Sequence, residues 1–132
     1  GQYMASADEL YMTVKGRGGH GALPQDCIDP LVVTAQIVLA LQQVISREAN
    51  PLIPSVLTFG KINSVGGATN VIPNEIQLEG TFRTMDEDWR KKAHKRMKKI
   101  TKHIAKAYGA VCDLDIKKGY PSLFNNEELT HK

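Results

Sequence analysis

What most constrains the fold is the way the apolar residues change period along the chain. Over residues 9–15, Leu10, Met12 and Val14 alternate with Tyr11, Thr13 and Lys15, the period-two pattern of a half-buried strand. From Asp29-Pro30 the spacing turns helical: Leu31, Ala35, Val38, Leu41 and Ile45 form a stripe that Val33, Ile37 and Val44 widen. Asp29 suits an N-cap and Pro30 the first helical turn. Pro51 and Pro54 end that pattern, and residues 55–63 read as a second strand. In a third strand Ile76, Leu78, Gly80 and Phe82 point one way, and Gln77, Glu79, Thr81 and Arg83 the other. Asp86 caps a second helix with the stripe Trp89, Ala93, Met97, Ile100, Ile104 and Ala107, which Gly109 stops. A last strand over 110–118 alternates Cys112, Leu114 and Ile116 with Asp113, Asp115 and Lys117, and residues 122–132 read as polar chain leaving the domain.

The order β-α-β-β-α-β specifies an α+β, ferredoxin-like sandwich: a four-stranded antiparallel sheet with two helices on one face. In that topology the 55–63 strand lies at a sheet edge with little charge on it, which invites pairing with a second chain. The first helix reaches Arg47 and Glu48 with almost no charge on its surface. Such a face suits either contact with another subunit or deep burial in one domain. A chain of 132 residues is expected to be a single domain, with its core at about 8–120. No run is expected to cross a bilayer and no signal peptide is evident, so the expected location is cytoplasmic, with no membrane partner.

Cys27 and Cys112 read as two free, partly buried thiols, and His20, His94, His103 and His131 show no metal-ligand spacing. The outer face of the second helix carries Arg90, Lys91, Lys92, Lys95, Lys98, Lys99, Lys102 and Lys106. That face raises a nucleic-acid reading. Against it, the inner strands offer only Tyr11 as a stacking aromatic, and a net charge of +3 means that the basic helix is largely balanced elsewhere. A solvated helix face is the simpler account.

The chemistry concentrates in two glycine-bearing loops. The first is Gly16-Arg17-Gly18-Gly19-His20-Gly21-Ala22-Leu23-Pro24; its glycines admit φ > 0 and close backbone approach, and His20 is its one side chain that can titrate near neutrality. The second loop, 64–73, ends in Asn70-Val71-Ile72-Pro73. His20, Asn70 and Arg83 are expected to converge on the helix-free face or one end of the sheet. An imidazole, an amide and a guanidinium suit a polarised carbonyl beside a carboxylate. With no nucleophile and adjacent base among them, they bind and polarise a substrate without cleaving it alone. Each also has a plain structural reading: His20 as a turn cap, Asn70 as an Asx-turn, Arg83 as a partner of Glu79.

The segment 14–24 with Asp29-Pro30, then Gly66-Gly67-Ala68-Thr69-Asn70-Val71-Ile72-Pro73, then Gly80-Thr81-Phe82-Arg83-Thr84, and Gly119-Tyr120-Pro121 with Asn125 resemble the lid or dimerisation domain of the aminoacylase/hippurate hydrolase/carboxypeptidase family of dinuclear-zinc metallopeptidases, in its N-acyl-amino-acid amidohydrolase variety. The resemblance runs from about Ala5 to Leu129. It implies a complete enzyme whose separate catalytic domain holds two zinc ions, with this chain an excised domain, inactive alone. It implies a homodimer through the 55–63 edge strand and the first helix. By the same resemblance His20 is catalytic, stabilising an oxyanion in the partner's active site, while Asn70 orients an N-acyl amino acid or small peptide and Arg83 grips its carboxylate. Gln25 departs from relatives that carry a second histidine after the proline. The alternatives are a purely structural dimerisation module and a nucleic-acid-binding domain that uses the basic helix.

Overall fold

The computed structural model describes residues 2–4, 6–119 and 123–125. In chain order the elements are β1 (Gln2–Met4), β2 (Ser6–Lys15), β3 (Gly19–His20), α1 (Pro30–Gln43), β4 (Ser55–Val65), β5 (Val71–Ile72), β6 (Glu75–Thr84), α2 (Glu87–Ala107), β7 (Val111–Lys117) and β8 (Leu123–Asn125). One sheet runs in the order β4-β6-β2-β7, and β1 with β8 and β3 with β5 form two-stranded ribbons. Every pairing in the sheet is antiparallel, so the expected ferredoxin-like sandwich is the observed one, with β4 at an edge.

The alternation produces the core directly. Leu10, Met12 and Val14 of β2 and Ile76, Leu78 and Phe82 of β6 are buried, and meet Val33, Ile37 and Leu41 of α1 and Ala93 and Met97 of α2. Register lines these residues up, Met12 opposite Leu78 and Val14 opposite Ile76. Each such side chain contributes about 1.5–3 kcal/mol on burial. Both helix starts are capped as expected: Asp29 accepts from the Leu31 amide at 2.9 Å and Asp86 from the Trp89 amide at 2.9 Å.

Four particulars differ from the sequence reading. Leu31 and Ala35 face outward, because α1 packs against the sheet and α2 together, and its buried stripe is Val33, Thr34, Ile37 and Leu41. On α2, Ala107 is exposed and Arg90 is buried, drawn inward by a carboxylate on β2. The edge strand runs on to Val65, with a bulge where the register shifts between Phe59 and Lys61. Finally, Pro30–Glu48, which is α1 plus one wider terminal turn, is by length and composition apolar enough to cross a bilayer, where no such run was expected. Its inner face is committed to the domain core. β8, within the segment read as leaving the domain, pairs with β1; residues 126–132 lie outside the described residues.

Candidate functional site

The glycine loops are two sides of one ribbon. Gly19 pairs with Ile72 and His20 with Val71, and the Gly21 amide donates to the Asn70 carbonyl at 2.8 Å. A tight hairpin turn, Ala68 to Val71 with backbone bonds of 3.0 and 3.2 Å, sets Asn70 at its tip. Here glycine is needed for its conformation: Gly66 and Gly67 hold φ of 77° and 83°. In the first loop only one of the two expected reasons applies. None of Gly16, Gly18, Gly19 and Gly21 has a positive φ. A Cβ on Gly16 would instead lie 2.1 Å from the Ile28 carbonyl oxygen, and one on Gly18 would lie 2.2 Å from that of Ile72. Close approach of backbones, not a left-handed conformation, requires them.

Asn74 fastens the ribbon to the sheet and escaped the sequence reading. Its carbonyl accepts from the Gly16 amide and its side-chain oxygen from the Gly18 amide, each at 2.9 Å. Its position before a strand looks like ordinary turn chemistry, so no local signal distinguishes it.

His20 is exposed, and its Nδ1 accepts the Ala22 amide at 3.0 Å. The turn-capping role is therefore real, and it has a chemical consequence. With Nδ1 occupied as an acceptor, the neutral ring carries its proton on Nε2, which points outward as a donor. The Asn70 side chain is exposed beside it.

Arg83 does not join them within one chain. Glu75 begins β6 opposite Lys15, whereas Arg83 lies near its other end opposite Ala7, roughly 26 Å along the strand at about 3.3 Å per residue. There it borders a hollow with Glu9, Thr81, Lys117 and Lys118. Glu79 pairs with Lys61 at 3.5 Å, leaving Arg83 without an ion pair among the described residues.

The strongest electrostatic feature is one that the sequence reading missed. Asp8, on β2, is wholly buried and takes a two-pronged contact from Arg90, through Nη2 to Oδ1 and through Nε to Oδ2 at 3.1 Å; His94 Nε2 lies 2.6 Å from the same Oδ2. The Gly119 amide donates to the same carboxylate at 3.2 Å, and Arg90 donates to the Gly119 carbonyl at 3.1 Å. Burial alone would raise the Asp8 carboxyl, but hydrogen bonds from Arg90 and His94 together hold it below its ordinary value. Burial pushes the His94 imidazole down, with Asp8 opposing. Thus Asp8 is ionised, Arg90 is its counter-ion, and His94 donates to it as a neutral ring. The two thiols are free, as expected, and burial raises that of Cys112 to about 11. Among the described residues no three His, Cys, Asp or Glu side chains gather to hold a metal ion, so the zinc ions implied by the resemblance have no fit here.

Comparison with known proteins agrees with this architecture. Residues 6–109 match the family model of the peptidase dimerisation domain. The chain is 39% identical over 131 residues to the N-acetyl-L-cysteine deacetylase of Bacillus subtilis strain 168, covering 98% of this chain and 31% of that protein. It is 38% identical over 128 residues to the N-acyl-L-amino acid amidohydrolase of Geobacillus stearothermophilus, covering 97% and 34%. Among solved structures, the Bacillus subtilis YxeP protein, a dinuclear metal binding peptidase of the M20 family, superposes with a TM-score of 0.70 at 27% identity, over 94% of this chain and 29% of that one. The chain spans about a third of the length of the curated relatives it matches. With fold, motif order and family match in agreement, the chain belongs to the peptidase dimerisation domain family of the M20 peptidases.

Proposed function

We propose that this chain is the substrate-binding lid, as well as the dimerisation domain, of a zinc-dependent amidohydrolase that cleaves the amide bond of N-acyl amino acids or small peptides. The zinc ions belong to a catalytic domain elsewhere in the enzyme. The names of the relatives support the substrate class: a deacetylase of N-acetyl-L-cysteine and an amidohydrolase of N-acyl-L-amino acids.

The observation that carries the reading is the separation of His20 and Asn70 from Arg83 by the length of the sheet. Two copies joined antiparallel along their β4 edges would bring the ribbon end of one chain to the Arg83 end of the other. A composite site then forms from His20 and Asn70 of one chain and Arg83 of its partner. In it the outward Nε2–H of His20 donates to the oxyanion of the tetrahedral intermediate, Asn70 orients the acyl amide, and Arg83 pairs with the substrate carboxylate.

Mixed dimers test this in the full-length enzyme. His20→Ala and Arg83→Ala homodimers should each be strongly impaired. Mixing them with subunit exchange should restore a fraction of activity, because one of the two sites in each heterodimer has both residues intact. If exchange is demonstrated and no activity returns, the two residues do not meet across the dimer.

A further inference from the structure

A second constellation lies away from the ribbon. A groove between α2 and the end of β7 is lined by Lys91, His94, Lys95, Lys98, Ile116 and Lys118. Lys91, Lys95 and Lys98 share one face of α2 by their spacing, and Lys118 approaches from just beyond β7. None of these four ammonium groups forms an ion pair among the described residues. Four like charges around one hollow repel one another unless an anion joins them.

The floor of the groove is specific. The His94 side chain is 9% exposed, held by Asp8 at Nε2 and packed edge-on against Phe82 at 6.1 Å between ring centres. Its other nitrogen, Nδ1, has no partner among the described residues. Yet among the described residues Thr34 Oγ1, on α1, is the one fully buried side-chain polar atom that lacks a partner, so Nδ1 is not sealed in the core, and the groove is the hollow that His94 lines.

We propose that this groove binds a tetrahedral dianion of the phosphate and sulfate class, its charge met by Lys91, Lys95, Lys98 and Lys118, with one oxygen accepting a hydrogen from Nδ1 of His94. Binding takes up a proton. In the neutral ring Nε2–H serves Asp8, and Nδ1 is an acceptor that sulfate or a phosphate monoester dianion, whose anionic oxygens carry no hydrogen, cannot use; protonation makes it a donor. The groups that face the ring set the balance. Burial first, then Arg90 on α2 and Lys118 beyond β7, oppose the imidazolium, and Asp8 on β2 favours it; Lys91, Lys95 and Lys98 on α2 line the same groove, and Phe82 on β6 is apolar. An anion in the groove offsets the opposition of the cations.

Sulfate is the probe of choice, because its charge is constant across the useful pH range. The 132-residue chain is titrated with it at constant ionic strength at several pH values from about 5.5 to 7.5, while the His94 ring proton is followed by NMR. The expected result is saturable binding that tightens as pH falls, by up to about tenfold per pH unit, the limit for one proton. A Lys95→Gln/Lys98→Gln double variant should weaken it by about tenfold or more, His94→Gln should abolish its pH dependence, and Lys15→Gln, at an exposed position at the far end of β2, should leave sulfate binding unchanged. Inorganic phosphate and glycerol phosphate, compared at one pH, tell a free anion from an ester; the tighter binder names the source. The proposal is overturned by no saturation below about 50 mM, by pH-independent binding to the unsubstituted chain, or by oligonucleotide binding far tighter than sulfate that depends equally on Lys92, Lys99 and Lys102. The lysine variant and the unsubstituted chain keep the test decisive even if His94→Gln fails to fold.

Discussion

The two edges of the sheet are made differently. On β4 the only charged residue is Lys61, and Val56, Ile62 and Val65 are 55%, 54% and 45% exposed. On β7 Asp113, Asp115 and Lys117 recur at alternate positions. The helices repeat the division: α1 has no charged residue, whereas α2 sets Glu87 and Asp88 against nine lysines and arginines. Charge at alternate positions resists a further strand, and its lack admits one. Gln42 reinforces the boundary by donating from α1 to the Leu57 carbonyl of β4 at 3.0 Å. One half of the sandwich thus presents uncharged surface, and the other charged surface with the Asp8 and Arg90 charges turned inward.

The largest expected effect tests whether the charged half is held together by charge. Asp8→Ala removes the shared partner of Arg90, His94 and Gly119; Arg90 keeps only Glu87, at 3.0 Å, as a carboxylate partner among the described residues, and the His94 Nε2 and the Gly119 amide lose their acceptor. The expected loss is about 3–5 kcal/mol in urea denaturation. A loss below about 1 kcal/mol would mean that packing alone carries this half.

Next comes the ribbon proposed to meet substrate. His20→Ala in the full-length enzyme should lower turnover about 10²-fold, with zinc content and dimer unchanged, as removal of one oxyanion donor does. A change of less than about threefold would reduce the ribbon to a structural element, since the Nδ1 contact to Ala22 at 3.0 Å closes only a local turn.

The edges themselves can be exchanged. Ile62→Asp on β4 should weaken dimerisation by about tenfold in sedimentation equilibrium, because the proposed antiparallel pairing of β4 edges would set the two introduced charges on one interface. Asp115→Val on β7 should leave the dimer unaltered and, by making that edge resemble β4, promote higher assemblies. If both substitutions acted alike, the contrast between the edges would have no bearing on assembly.

The contrast was partly legible in the sequence, and for physical reasons. Period and caps are local, so Leu10-Met12-Val14 and Asp86 before Trp89 announced a strand and a helix. The uncharged run over α1 was equally plain. The Asp8–Arg90–His94 cluster was not, because its members are 82 and 86 positions apart; Arg90, flanked by Lys91 and Lys92, read as one more solvated cation. Arg83 was placed correctly on the helix-free face, but its distance from His20 depends on the direction of β6 relative to β2. That direction follows from the topology and was not carried through to the site. Of the two properties expected of the glycines of 16–21, close approach applies and positive φ does not, but which backbones are approached, those of Ile28 and Ile72, is invisible until those residues are neighbours.

The smallest effect concerns pH, and its sign separates the two halves again. Burial depresses His94 below its ordinary value near 6.5, so between the folded and unfolded values the unfolded chain binds the proton that the folded chain refuses. Stability from this group is therefore complete above about pH 6.5 and is lost as pH falls, with a slope of at most about 1.4 kcal/mol per pH unit. Asp8 is also depressed, so its contribution persists to lower pH and is lost only below about 4. Denaturation measured from pH 7.5 to 3 should show two successive declines. His94→Gln should remove the first and retain the second, and millimolar sulfate should flatten the first by letting the folded chain accept the proton. If the first decline survives His94→Gln, the acid sensitivity lies elsewhere and the charged half does not owe its stability at neutral pH to an unprotonated ring beside Asp8.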